Sequence, residues 1–200
     1  MIRPRLTGVA FSLCVALSLT AATGLTGCGP GAGRTASANI GGPFHLVDQA
    51  GRPQDQRLLL GKWTAVFFGY TYCPDVCPTT LQTLGSATGL LGDQAKAFQV
   101  VFITVDPTRD SPAQLKDYLS SASFPHGVIG LTGSPAQIAA AAAAYKVYFQ
   151  KAGGDANYSV DHSAAIYLMN PRGDFDSVIP YGLTPQQTRD QILKAMQAAS

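Results

Sequence analysis

Two short apolar runs stand out in the pattern of this chain. Trp63–Gly69 and Phe98–Val105 are rich in β-branched and aromatic residues, and apolar residues occupy successive positions in both. Runs of this kind are typical of central strands that helices cover on both faces. Leucines at near-helical spacing follow the first run, which predicts a helix between the strands. The strand, helix, strand order predicts a right-handed crossover and a parallel pair.

The predicted helix between the two strands carries conflicting signals. Its apolar positions are Leu81, Leu84, Leu90 and Leu91. Gly85 and Gly89 weaken it, because glycine is a poor helix former.

Three later helix starts share one pattern, in which a hydroxyl residue precedes a proline and a glutamine follows two residues later. The segments are Ser111 to Gln114, Ser134 to Gln137 and Thr184 to Gln187. The hydroxyl is expected to cap the helix, the proline to occupy its first position, and the glutamine to complete a capping box. The last of these helices is predicted to extend from about Pro185 to Ala198.

The C-terminal third alternates polar and apolar segments. Lys151–Tyr158 is polar and contains glycine, which indicates a loop excursion. Ile166–Met169 and Phe175–Ile179 predict a hairpin around the turn at Asn170–Gly173. The fold class that follows is α/β, a three-layer α/β/α sandwich with a central mixed sheet, closest to a thioredoxin-like fold.

The N-terminus predicts export. Arg3 and Arg5 precede an apolar stretch, Val9–Leu19, which is too short to span a bilayer comfortably. The stretch leads to Leu25-Thr26-Gly27-Cys28, which resembles a bacterial lipobox. We therefore predict a lipoprotein signal peptide over residues 1–27 and a lipid on Cys28. The alternative is an ordinary signal peptide followed by an unrelated cysteine.

Composition divides the rest of the chain. Residues 28–41 are small and polar and predict a flexible tether, and residues 42–200 suit one domain with one core. The formal net charge is +2, and removing Arg3 and Arg5 leaves the chain near neutral. No basic run is present, so neither nucleic-acid binding nor polybasic lipid binding is supported. The expected location is a bacterial membrane, anchored by lipid and facing the periplasm or cell exterior.

The cysteines indicate the chemistry. The chain has four: Cys14 falls in the predicted signal peptide and Cys28 at the predicted lipidation site. Cys73 and Cys77 remain, directly after a predicted central strand, where α/β folds gather their sites. Pro78 is expected at the first helical position and Cys77 as the N-cap, and a helix N-terminus favours a thiolate. The pair predicts either a metal clamp or a redox pair.

The spacing of the pair favours a metal. Three residues separate Cys73 from Cys77, whereas thioredoxin-type motifs have two. Two thiolates select copper(I), zinc or iron–sulfur chemistry, but they cannot alone complete a zinc site or a four-cysteine cluster. Histidine is the usual third ligand. His45 and His126 lie in ordinary contexts, whereas His162 precedes a predicted strand. Residue pattern alone leaves His162 either a ligand or an ordinary structural histidine.

The motifs resemble those of the Sco/SenC family of copper-binding, thioredoxin-like proteins that assist assembly of cytochrome c oxidase. The resemblance implies that Cys73, Cys77 and His162 bind copper, as Cu(I) or Cu(II), and that the protein is a metallochaperone rather than an enzyme. It also implies partners: the copper-centre (CuA) subunit of the oxidase, and other periplasmic copper chaperones or thiol reductants. The matching segments are 61–63, 68–81, 105–110, 130–133 and 161–163.

Two further points stay open at the level of sequence. The alternative function is a thiol–disulfide reductase, with Cys73 and Cys77 as its catalytic pair, which keeps the oxidase copper-ligand cysteines reduced. Asp75 and Asp161 are candidates to support the ligands from outside, Asp161 by orienting His162. Their other interpretation is structural, as a carboxylate near a helix N-terminus and a turn cap.

Overall fold

The computed structural model describes residues 40–154 and 157–198. The predicted signal peptide, most of the tether and the predicted lipid site at Cys28 lie outside these ranges and remain predictions. Within the described residues, no helix is long and apolar enough to cross a membrane.

The elements of the described chain alternate in type. The strands are β1 (His45–Asp48), β2 (Pro53–Asp55), β3 (Trp63–Gly69), β4 (Phe98–Thr104), β5 (Ile129–Thr132), β6 (Phe149–Ala152), β7 (Ser159–His162), β8 (Ile166–Met169) and β9 (Phe175–Ile179). The α-helices are α1 (Val76–Gly89), α2 (Pro112–Leu119), α3 (Pro135–Ala144) and α4 (Pro185–Ala198). The short segments Gln56–Leu59 and Gly92–Ala97 are 3₁₀-helical.

Seven strands form one mixed sheet in the order β2-β1-β5-β4-β3-β8-β9. Strand β4 pairs in parallel with both β3 and β5, and the other pairs in this sheet are antiparallel. The predicted parallel crossover and the predicted β8–β9 hairpin are therefore confirmed. Strands β6 and β7 lie outside this sheet and pair only with each other.

Strand β3 is buried along its whole length, because helices cover both of its faces. Phe67 contacts Phe102 with ring centroids 6.0 Å apart, and Gly69 on the same face abuts Cys77 of α1. Phe68 points to the other face, where it contacts Tyr145 at the end of α3. Successive residues of a strand face opposite sides, so α1 and α3 lie in different layers. The predicted α/β/α sandwich is confirmed.

The three cap motifs begin helices as predicted, but one glutamine has another role. Ser134 and Thr184 exchange hydrogen bonds with Gln137 and Gln187 and so form complete capping boxes. Ser111 accepts from the backbone N–H of Gln114, but the Gln114 side chain donates to Thr71 Oγ1 at 3.3 Å. The motif thus caps α2 and also joins this helix to the loop that carries Cys73.

Helix α1 begins earlier than predicted. Its first residue is Val76 and its N-cap position is Asp75, so Cys77 is not the N-cap and Pro78 is the third helical residue. Proline fits there because N–H groups in the first turn have no partner within the helix. Gly85 lies within α1 and does not interrupt it. An added Cβ at this position would meet the Ser123 carbonyl oxygen at 2.6 Å. The glycine allows close packing instead.

The predicted excursion at Lys151–Tyr158 is only partly a loop. Residues 151 and 152 belong to β6, which pairs with β7, and His162 is the last residue of β7. The prediction missed this hairpin because Phe149–Ala152 is short and its polar and apolar residues do not alternate. We call residues 148–154 and 157–163 the histidine hairpin.

Candidate metal centre

Three donor atoms converge at the end of β3. The Sγ atoms of Cys73 and Cys77 and a ring nitrogen of His162 all lie within 4.8 Å of one another. The Cys77 Sγ is 3.5 Å from the His162 Nε2. Among the described residues, these three side chains form the group of potential ligands that lie close enough together to hold one ion. His45 is exposed at the start of β1 and His126 is exposed in a loop, so neither takes part.

Close packing against β3 fixes Cys77. Its side chain is fully buried, and a Cβ added to Gly69 would lie 2.8 Å from the Cys77 sulfur and 2.8 Å from the Phe102 ring. Only a residue without a side chain leaves room for this sulfur under the strand. No sequence signal marks Gly69, because its importance comes from its place opposite α1.

The loop before α1 holds Cys73 differently. Its side chain is half-buried, and its backbone N–H donates to the Tyr70 carbonyl at 3.2 Å. The backbone N–H of Cys77 lies in the first turn of α1 and donates to the Cys73 sulfur at 3.4 Å. The unpaired N–H groups of the helix N-terminus therefore act on Cys73 rather than on Cys77.

The surroundings of the two thiols shift their pKa values in opposite directions. A hydrogen bond from the Cys77 thiol holds the pKa of Cys73 far below its usual range, and the backbone N–H groups of Asp75 and Cys77 lower it further. The same Cys73–Cys77 hydrogen bond, together with burial, raises the pKa of Cys77. In the reduced, metal-free pair the thiolate is therefore favoured at Cys73 and the thiol at Cys77.

Packing and one hydrogen bond orient His162. Its ring meets Tyr70 edge-on, with centroids 5.8 Å apart, and lies 6.3 Å from Phe67. Its Nδ1 is 3.0 Å from the Ser163 carbonyl oxygen, which can only accept. Nδ1 therefore carries the proton in this bond, and the lone pair of Nε2 faces the sulfurs.

The two aspartates proposed as outer support are exposed. Asp75 stands at the N-cap position of α1, and Thr79 Oγ1 lies 3.4 Å from its carboxylate. Asp161 is an exposed residue of β7, opposite Gln150. The contact that orients the imidazole in the structure is thus the Ser163 carbonyl.

Asp110 anchors the loop between β3 and α1, residues 70–75, which we call the cysteine loop. It is fully buried and accepts hydrogen bonds from the Thr71 N–H (3.0 Å), the Thr71 hydroxyl (2.6 Å) and the Thr104 hydroxyl (2.6 Å). Burial raises the pKa of its carboxyl in spite of these bonds. This contact could not be predicted from local pattern, because 39 residues separate Asp110 from Thr71.

A cationic and aromatic cluster flanks the site. Arg109 forms an ion pair with Asp106, and its guanidinium lies 3.6 Å from the ring centroid of Tyr158 and 4.8 Å from that of Tyr72. The Lys151 ammonium lies 3.5 Å from the Tyr158 centroid. Tyr72 is 56% exposed, so it forms an open rim beside Cys73.

Comparison with known proteins places this geometry in a family. The SCO1/SenC family model matches residues 32–197. The chain is 43% identical over 149 residues to SCO1 homolog 1, a mitochondrial protein of Arabidopsis thaliana, covering 74% of this chain and 43% of that protein. It is 40% identical to SenC of Rhodobacter capsulatus, covering 82% of this chain and 74% of that protein.

Solved structures agree with the family match. ScoI of Bradyrhizobium japonicum with copper bound superposes with a TM-score of 0.71 at 43% identity, covering 78% of this chain and 99% of that one. The chain spans less than half the length of the Arabidopsis relative, so the match concerns the domain that carries the three donors. On the family model, the relatives and the fold, the chain belongs to the SCO1/SenC family.

Proposed function

We propose that this protein binds one copper ion through Cys73, Cys77 and His162 and passes it to the copper (CuA) centre of cytochrome c oxidase. The observation that carries the proposal is the convergence of two sulfurs and one imidazole nitrogen within 4.8 Å. Support also comes from ScoI of Bradyrhizobium japonicum, whose structure contains copper.

The donor set fits copper. Thiolate sulfur is a soft ligand that selects copper(I), and imidazole also suits copper. A structural zinc site would need a fourth protein ligand, and no fourth histidine, cysteine or carboxylate belongs to this group among the described residues. The same three donors can also hold copper(II), because two thiolates supply two negative charges. The geometry therefore suits a site that accepts copper in either oxidation state.

Exposure of the donors suits transfer. Cys77 is fully buried, whereas Cys73 and His162 are partly open to solvent. A thiolate of the recipient can approach from the side of Cys73 and bind the ion before the last ligand of this protein dissociates from it. Each sulfur–copper bond broken in this protein is then replaced by one in the recipient, and copper(I) moves without a change in oxidation state.

The test is an anaerobic copper(I) competition titration of the reduced full chain, with Cys14→Ser and Cys28→Ser in every sample. We expect one ion per chain and an affinity at least about tenfold weaker in His162→Ala, because even the loss of a group that only supports a ligand costs about 10–100-fold. His126→Ala is the control, since His126 is exposed and outside the site. Equal affinity in wild type and His162→Ala would contradict the three-ligand site.

The opposite pKa shifts of Cys73 and Cys77 favour a second candidate function. A thiolate at Cys73 next to a thiol at Cys77 is the arrangement of a dithiol reductase, in which Cys73 would attack a partner disulfide and Cys77 would resolve the mixed disulfide. Such exchange does not require His162. Reduction of a disulfide between the copper-ligand cysteines of the oxidase subunit, at the same rate by wild type and His162→Ala, would support this enzyme activity.

We further propose that Cys28 carries a lipid and that residues 28–41 tether the domain to a bacterial membrane, facing the periplasm or the cell exterior. The basis is the order Leu25-Thr26-Gly27-Cys28. Asp75 lies between the two cysteines and Asp161 lies directly before His162, and their exposed carboxylates are proposed to contact the partner during transfer. A lipid anchor would restrict the search for a membrane-bound recipient to the surface of one membrane.

A further inference from the structure

The turn between β4 and α2 contacts both halves of the metal centre. We call residues 106–110 the bridging turn. At one end, Asp110 accepts two hydrogen bonds from Thr71, two residues before Cys73. At the other end, Asp106 accepts a hydrogen bond of 2.7 Å from the Tyr158 hydroxyl, in the histidine hairpin. One short segment thus touches both the loop of the cysteines and the hairpin of the histidine.

The histidine hairpin depends on such contacts for its position. Among the described residues it shares no backbone pairing with the main sheet, since β6 and β7 pair with each other. A two-stranded hairpin is marginally stable by itself in water. Hydrogen bonds between Tyr148 and Ser163 close its base, but both residues lie at the ends of the hairpin itself. Contacts with other elements are therefore needed to place His162 beside the cysteines.

Arg109 contacts both the histidine hairpin and the cysteine loop. Its guanidinium stacks on Tyr158 of the hairpin at 3.6 Å and on Tyr72 of the cysteine loop at 4.8 Å. Its side chain is only 14% exposed and that of its ion-pair partner Asp106 only 5%. Cation–π contacts are stronger when the cation is shielded from water, and the flat guanidinium can stack on two rings.

We propose that Asp106, Arg109 and Tyr158 are positioning residues that hold His162 within binding distance of Cys73 and Cys77. They act through the hairpin and are not ligands. The inference rests on the proposed copper function for its affinity readout, but the position of the hairpin can be measured without metal. The bridging turn thereby sets the distance between the sulfurs of Cys73 and Cys77 and the imidazole nitrogen of His162.

The first test measures hydrogen–deuterium exchange of the reduced, metal-free full chain with Cys14→Ser and Cys28→Ser. Tyr158→Phe removes the hydroxyl that donates to Asp106 but keeps the ring. Arg109→Ala removes the ion pair with Asp106 and the cation–π contacts with Tyr70, Tyr72 and Tyr158. We expect faster exchange of the β6 and β7 amides in both variants, with β3 and β4 still protected. Tyr148→Phe is the matched control, because the Tyr148 hydroxyl contacts Gln150 within the same hairpin. Unchanged exchange of β6 and β7 in Tyr158→Phe and Arg109→Ala would overturn the proposal.

The second test is a double-mutant cycle on copper(I) affinity. We expect Arg109→Ala to weaken binding about tenfold in the wild-type background, as supporting groups of metal ligands do, and to have no effect when His162→Ala is already present. Tyr158→Phe should follow the same pattern with a smaller loss. Equal losses in both backgrounds would show a general effect on the fold and overturn the positioning role. Wild-type affinity no better than that of His162→Ala would reject the copper function, while the exchange experiment would still decide the role of the turn.

Discussion

Cys73 and Cys77 differ in reactivity because their surroundings differ. Cys73 receives hydrogen bonds from the Cys77 thiol and from the first turn of α1, whereas Cys77 is fully enclosed under β3. A half-exposed thiolate is available to an incoming metal, and the buried sulfur has a fixed position. At the residue scale the site therefore consists of one reactive donor and one rigid donor.

This difference predicts how alkylation responds to pH. Because the pKa of Cys73 is lowered, its thiolate persists as the pH falls, and its rate with iodoacetamide should stay nearly constant from about pH 8 to about pH 6. An ordinary thiol with a pKa of about 8.5 loses about tenfold in rate per pH unit over this range. Cys77→Ala removes the main hydrogen-bond donor, so the rate at Cys73 should regain pH dependence. Mass spectrometry of the modified chain is the measurement, and a tenfold loss per unit in the wild type would contradict the assignment.

Gly69 yields a prediction about packing. In Gly69→Ala the new methyl group would lie 2.8 Å from the Cys77 sulfur, and backbone on the buried strand cannot move freely. We expect the free energy of unfolding to fall by about 1–3 kcal/mol, as in other overpacked cores, and copper affinity to fall as Cys77 is displaced. Urea denaturation measures the first effect and competition titration the second.

Gly89→Ala is the control for this change. An added Cβ at Gly89, the last residue of α1, meets nothing within 4 Å. We expect a neutral or slightly stabilising effect there, since alanine is the better helix former. A loss at Gly89 as large as that at Gly69 would show that the close contact with Cys77 is not the cause.

Elements on three sides assemble the site. The cysteine loop joins β3 to α1, the bridging turn joins β4 to α2, and the histidine hairpin lies apart from the main sheet. The first two meet because β3 and β4 are parallel neighbours, so the residues that follow them emerge at the same edge of the sheet. The histidine reaches that edge through the hairpin.

Asp110→Asn tests the link between the cysteine loop and the bridging turn. The carboxylate accepts three hydrogen bonds, and an amide would turn an NH₂ group toward at least one of these donors. We expect a loss of about 1–3 kcal/mol in the free energy of unfolding, the cost of buried polar groups left unpaired. Asp117→Asn in α2 is the control, because Asp117 is exposed and should change stability by less than about 0.5 kcal/mol. Equal urea midpoints for the two variants would contradict the anchoring role.

Local pattern predicted the elements whose signals are local. The apolar runs of β3 and β4, the serine–proline helix starts and the β8–β9 hairpin all depend on residues close in the chain, and the structure has them. The start of α1 was misplaced, because Pro78 fits the first and the third helical positions equally well. The histidine hairpin was missed because its first strand has no clear alternation.

The residue types of the site were predictable from the sequence, but the contacts that hold them in place were not. Two cysteines after a central strand indicated the place, and the family resemblance implied His162 as the third ligand. The contacts of Asp110 with Thr71, of Tyr158 with Asp106, and of Gly69 with Cys77 depend on tertiary packing across separate elements. No periodicity within one segment carries that information.

At the scale of the whole molecule, the proposed function needs the domain to remain close to a membrane. If Cys28 carries a lipid, Cys28→Ser should move the protein from the membrane fraction to the soluble periplasmic fraction of a bacterial host. Cys14→Ser is the matched control and should leave the protein in the membrane fraction, since Cys14 falls in the predicted signal peptide. Immunoblots of separated fractions measure the effect, and membrane retention of Cys28→Ser would contradict lipidation at this residue.

The central claim is that Cys73, Cys77 and His162 together bind copper. X-ray absorption at the copper edge of the copper(I)-loaded protein tests it most directly, because it reports which atoms surround the ion. We expect two sulfur neighbours and one imidazole nitrogen in the wild type, and loss of the nitrogen signal in His162→Ala. A wild-type spectrum with sulfur neighbours alone, or one that His162→Ala leaves unchanged, would contradict it.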